Sequence, residues 1–179
     1  MLVRKKKLGF AAVIVLALLL AIPAGVSAAA APGVLRTGLS SHTLTPGALN
    51  PAVTQATIGR TICVSGWTAT VRPPTSYTTP LKRTQLVIYG YSDRSLADYE
   101  EDHLVALELG GSPRSTKNLW PEPHHVIVGG LDVGSYAKDG LENYLHRQVC
   151  AGYLTLAKAR AEIETNWIAY WKAAGKPRG

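Results

Sequence analysis

The sequence predicts a small α+β domain, with short strands through the middle of the chain and two helices at its C-terminal end. Three observations lead there. Between Thr61 and Pro121 the apolar and aromatic runs are short and bounded by Gly and Pro, as strands and turns are. From Ala137 onward the apolar residues recur at helical spacing, first Leu141, Leu145 and Val149, then Leu156, Ala159, Ile163, Trp167 and Trp171. The chain has 179 residues, which suits one domain once a leader is set aside.

That leader is expected over residues 1–29. Arg4, Lys5, Lys6 and Lys7 precede an almost unbroken apolar run from Leu8 to Pro23, and Val26, Ser27, Ala28 and Ala29 supply the small residues of a cleavage site. The expected location is secreted or cell envelope, with an uncleaved N-terminal anchor as the alternative. Cleavage would leave no stable membrane association and an expected monomer. The whole chain carries 19 basic and 12 acidic residues; without the four leader cations, 15 basic residues remain against 12 acidic, a net +3. Such a balance excludes a protein that coats nucleic acid by charge alone, although a local positive cleft is still compatible with it. The only two cysteines, Cys63 and Cys150, can oxidise after export. A bridge between them is expected, worth about 4 kcal/mol by chain entropy; two buried thiols or a zinc site are the alternatives.

Residues 30–59 are rich in Ala, Pro, Gly, Ser and Thr and read as a flexible arm, with a short extended piece near Val53 to Ile58 and a surface His42. The domain proper is expected over 60–174. Thr61 to Val71 has the composition of a strand, and Arg72-Pro73-Pro74 forces an extended exit. A short helix is expected after Pro80, and Leu86 to Tyr91 reads as a strand or the end of that helix. Leu104 to Leu109 reads as a strand, followed at Gly110-Gly111 by the strongest turn signal in the chain. The first C-terminal helix starts near Ala137 and ends near Gly152. Thr155 is the expected N-cap of the second, and residues 175–179 form a frayed tail.

The chemistry-bearing residues gather between Tyr99 and Pro121, where Asp102-His103 precedes Gly110-Gly111 and Asn118. Asp139, Glu142 and His146 lie at spacings of three and four on one face of the first C-terminal helix, close enough to converge. Carboxylates holding a divalent cation, an imidazole activating water and an amide fixing geometry are what one-metal phosphodiester hydrolysis requires. The chain has no phosphate loop, HExxH, GxSxG or dinucleotide fingerprint.

The segment DHLVALELGGSPRSTKNLWP resembles the core of HNH endonucleases of the ββα-metal (His-Me finger) superfamily, with fifteen residues from His103 to Asn118. More broadly, TICVSGWTATVRPP, EEDHLVALELGG, KNLWPEP and KDGLENYLHRQVCAGYLTLAKA resemble small exported actinobacterial HNH-like proteins, over about 120 residues. The resemblance implies a ββα-metal core with an N-terminal strand region and two C-terminal helices. It implies an exported, divalent-metal-dependent nuclease of low sequence specificity, acting on DNA or RNA. His103 would be the general base and Asn118 its support; Asp102 would be a metal ligand, with Glu142 and His146 as substitutes for the usual helix ligands and Asp139 next. Magnesium or manganese would be the cofactor, with zinc also compatible. Arg114 and Lys117, beside Asn118, would contact phosphates. The alternative is a catalytically inactive exported domain that uses the scaffold for binding or structure.

Overall fold

The computed structural model describes residues 37–178, so the expected leader lies outside the described residues. The architecture is α+β. Two helices, α1 (Trp67–Val71) and α2 (Thr75–Ile88), precede an antiparallel hairpin of β1 (Tyr99–His103) and β2 (Leu119–Pro123). A minimal second hairpin, β3 (Ile127–Val128) with β4 (Leu131–Asp132), leads into α3 (Ser135–Cys150) and α4 (Leu156–Ala173). Among the described residues no helix is long and apolar enough to cross a membrane.

The two C-terminal helices form as their periodicity demands. Leu141, Leu145 and Val149 of α3 meet Leu156, Ala159, Ile163 and Trp167 of α4, all nearly inaccessible to solvent. Burying each large apolar side chain contributes roughly 1.5–3 kcal/mol. The Thr155 side chain accepts the amide of Lys158 at 3.2 Å, which satisfies one of the donors left over at a helix start. At Asn166 the backbone leaves helical geometry and α4 kinks. A second, aromatic core of Leu86, Tyr89, Tyr91, Tyr99, Leu104 and Trp120 lies between α2 and the β1–β2 hairpin. Every residue of β2 is buried, as are Tyr99, Asp102 and His103 of β1, while Glu100 and Glu101 are half-buried.

Several local expectations are corrected. No N-terminal strand forms: Thr61 to Val71 is a series of turns followed by α1, with Gly66 in the left-handed region at φ 79°. The strand-forming composition loses because the segment has no partner strand to pair with. Residues 53–58 are likewise turns rather than an extended piece. The helix expected after Pro80 starts earlier, at Thr75, and Leu86–Ile88 is its last part. Leu104–Leu109 is a bend closed by a single 3-10 turn, and the true strands are the acidic run Tyr99–His103 and the proline-flanked run Leu119–Pro123.

Residues 37–60 pack against the rest instead of leading loosely into it. Gly47 donates to Lys117 O at 2.8 Å, Asn50 to Gly110 O at 2.9 Å, and Ser112 donates back to Ala48 O at 2.7 Å. Thr45 is buried, with its hydroxyl 2.5 Å from that of Tyr89. Cys63 and Cys150 are disulfide-bonded, with Cα atoms 5.6 Å apart, which fastens the end of α3 to the segment before α1.

Candidate functional site

The last two residues of β1 set the site. Asp102 pairs in register with Trp120 and His103 with Leu119, and the ladder continues through the amide of Leu104 to Asn118 O at 2.8 Å. The chain then bulges out as the long loop of residues 104–118. Asn118, fully buried, holds that loop closed: its Oδ1 accepts from Val105 N at 2.9 Å, and its Nδ2 donates to Val105 O at 3.0 Å and Ser112 O at 3.1 Å. Gly111 is required there, because a β-carbon would lie 1.7 Å from the Val105 carbonyl oxygen. His103 Nε2 donates to Pro113 O at 3.0 Å, so the loop carbonyl selects its tautomer. Burial holds the His103 imidazole below its ordinary value despite the Asp102 charge beside it.

The Asp102 carboxylate meets a lysine. Lys138 Nζ, on the first part of α3, donates to Asp102 Oδ2 at 2.5 Å, to His103 O at 2.9 Å and to Glu142 Oε1. Its three ammonium protons are therefore all used, and its side chain is 1% exposed. Glu122, opposite Glu100 in the hairpin, is 1% exposed and adds a third carboxyl to the same cluster. One ammonium faces three carboxyls in a largely buried setting, the Lys138 side chain 1% exposed and those of Asp102 and Glu142 10% and 13%. Burial opposes charge on every one of them and is the largest influence at Asp102, but there the Lys138 charge together with hydrogen bonds from its neighbours outweighs it, and the carboxyl is held below its usual range. For Glu122 and Glu142 burial wins, and both are raised well above the ordinary carboxyl value. Burial alone would lower Lys138, but Asp102, Glu142 and Glu122 together hold it well above the usual lysine value.

His146 turns elsewhere. Its Nε2 donates to Ile62 O at 2.8 Å, and its Nδ1 lies 3.8 Å from Glu108 Oε2. Asp139 makes no side-chain bond to the cluster and lines two neighbouring clefts. Arg114 and Lys117 are exposed; the Arg114 guanidinium sits 5.0 Å over the Tyr77 ring, whose hydroxyl donates to Arg114 O at 2.7 Å. Of the residues singled out in the sequence, the fold thus gathers Asp102, Glu142 and the His103 backbone on Lys138, sets Asn118 on the loop that follows His103, and sends His146 to a different neighbourhood. Sequence reasoning missed Lys138 and Glu122; Arg72, a candidate phosphate contact by its charge, lines the cleft beside His103. The i,i+4 relation of Lys138 to Glu142 was the available signal for the first.

Among the described residues, one group of histidine, cysteine and acidic side chains has donor atoms that converge as metal ligands would: Cys63, His146 and Cys150, within 4.8 Å of one another. Its two sulfurs are bonded to each other, so neither offers a thiolate. At Asp102 the position a cation would take is filled by the Lys138 ammonium. The expected metal centre of Asp102, Glu142 and His146, its magnesium, manganese or zinc ion, and the metal-dependent hydrolase built on them are therefore corrected. No family model matches the chain, and neither the curated proteins nor the solved structures contain a match. The expected membership among the HNH endonucleases is corrected with them, leaving the chain defined by its own α+β architecture and disulfide.

Proposed function

We propose that this protein is a disulfide-stabilised extracytoplasmic domain with a binding or structural role and no hydrolytic chemistry of its own. The observation that carries the reading is Lys138, whose ammonium is buried among Asp102, Glu142 and the His103 carbonyl. An ion pair of this kind organises a core. It leaves neither the free carboxylates nor the vacant coordination positions that a hydrolytic cation needs. In outline β1, β2 and α3 make a ββα unit, and in this reading the unit serves as scaffold. His103 and Asn118 fix its long loop, while Arg114 and Lys117 remain exposed loop cations. The Cys63–Cys150 bond suits an oxidising compartment, and we place the protein outside the cytoplasm, secreted or at the cell envelope.

The test is incubation of the oxidised protein with plasmid DNA and with RNA, in magnesium, manganese, zinc or EDTA, beside His103→Ala. Neither protein is expected to produce cation-dependent cleavage. Cleavage that EDTA stops and His103→Ala removes would overturn the reading.

A further inference from the structure

A cavity of about 450 Å³ lies where the first turn of α3, the end of α4 and the C-terminal tail meet. Small-molecule sites span about 300–1,000 Å³. Its walls include His124, Tyr136, Asp139, Trp171 and Arg178, and none of Asp102, Lys138 or Glu142.

The tail is fixed as a wall by specific chemistry. The Trp171 indole N–H donates to Pro177 O at 3.0 Å, and Lys176 N donates to Trp171 O at 2.8 Å. Gly140 stands inside α3, where glycine costs about 1 kcal/mol relative to alanine. A β-carbon at that position would lie 2.2 Å from the Pro177 carbonyl oxygen. The helix accepts a poor helix former so that the tail can close on it, and this contact holds Arg178 at the rim.

The lining is chemically specific too. Tyr136 is 60% exposed, and its ring is stacked on His124 with centroids 5.2 Å apart and planes 14° from parallel. His124 Nδ1 lies 2.9 Å from Ser135 Oγ, which leaves Nε2 free, and burial holds the imidazole below its ordinary value. The Asp139 carboxyl, the Arg178 guanidinium and the Tyr136 hydroxyl make no hydrogen bond or ion pair among the described residues. Asp132, also in the wall, is already engaged by His125, Val126 N and Gly134 N. The cavity therefore offers an oriented aromatic face, one free carboxyl, one free guanidinium and one free imidazole nitrogen.

Charge balance argues against a strongly ionic ligand, since an anion would meet Asp139 and a cation would meet Arg178. A neutral ring with a C–H face and rim hydroxyls suits these groups: its C–H bonds rest on the aromatic face, and hydroxyls donate to the carboxyl, accept from the guanidinium and can pair with the imidazole nitrogen. We propose that this cavity binds a neutral saccharide unit, its ring against Tyr136 and its hydroxyls paired with Asp139 and Arg178. The inference rests on the binding-domain reading and names its ligand class.

The test is titration of the ¹⁵N-labelled oxidised protein with triacetylchitotriose, cellotriose and maltotriose, with adenosine as the competing planar ligand. At least one trisaccharide is expected to give saturable shifts at the Trp171 indole and the Tyr136 and Asp139 amides. Tyr136→Ala and Arg178→Ala, both at exposed positions, are each expected to weaken that binding about tenfold or more, the equivalent of about 1.4 kcal/mol. Absence of saturable shifts with all three sugars, binding that survives Tyr136→Ala, or saturation by adenosine in their place would overturn the proposal. Any of these outcomes without cation-dependent cleavage removes only the ligand class. Cation-dependent cleavage removes the reading beneath it.

Discussion

Glu101→Gln is expected to reverse part of the protein's pH dependence. Both Glu101 carboxyl oxygens are buried without a hydrogen-bond partner. Burial first, and the Asp102 charge second, push the carboxyl up to about 8 from its ordinary 4.5, with Lys82 opposing. The native state therefore keeps a proton that the unfolded chain releases. Stability is fully present below the unfolded value and is lost as pH rises toward the folded one, at about 1.4 kcal/mol per pH unit. Between 4.5 and about 8 the loss from this one group approaches about 5 kcal/mol. Glutamine keeps the shape and is neutral at every pH, so the variant escapes the loss. Urea unfolding at constant ionic strength, from pH 5 to 8.5, measures the difference in stability between the two proteins. That difference is expected to move in the variant's favour by more than one kcal/mol per pH unit at the steepest point, and to level off above about pH 8. Glu100, pushed up to about 7, sits in both proteins and contributes to both slopes, which is why the difference is the quantity to read. A difference independent of pH, or one favouring the wild type as pH rises, would refute the reasoning.

Three further outcomes are expected. Lys138→Met leaves Asp102 without its cation and should destabilise the fold by about 3–5 kcal/mol at neutral pH, and less at pH 5, where Asp102 can take up a proton instead; thermal melts at the two values check both. Asn118→Ala strips the long loop of three backbone contacts, two of them buried, and should cost about 3 kcal/mol in urea unfolding, with hydrogen exchange rising first at Val105. Replacing Cys63 and Cys150 together by serine should cost about 2–5 kcal/mol and free the last turn of α3 from the segment before α1, measurable as a lower denaturation midpoint and faster proteolysis near Ile62.

The central stretch shows where the limits of legibility lie. Asn118 stands out in the sequence as a support for the Asp102–His103 corner, but its partners are backbone groups of Val105 and Ser112, which no side-chain pattern announces. TICVSGWTATV carries the composition of a strand, yet its neighbours in space are α3 and the disulfide rather than another strand. The acidic run Tyr99–His103 looks unlike a buried strand, and it becomes one because Lys138 and Lys82 reach its carboxyls and carbonyls from two helices. Glu142 and His146 share a helix face on paper. In the fold about one helical turn separates a side chain that meets Lys138 from one that meets Ile62.

By itself the sequence determined the two C-terminal helices, the Thr155 cap and the turn at Gly110, and it named the one intramolecular pairing its two cysteines could make while leaving free thiols or a zinc site open. Each of these depends on residues close in the chain or on a choice with one solution. Tertiary structure decided the rest: which segments pair as strands, where the loop of residues 104–118 is anchored, and above all the charge state of Asp102. A carboxylate beside a histidine has the same letters whether a cation from solution or a lysine from the next helix neutralises it. In this protein Lys138, on the first part of α3, supplies the neutralising charge.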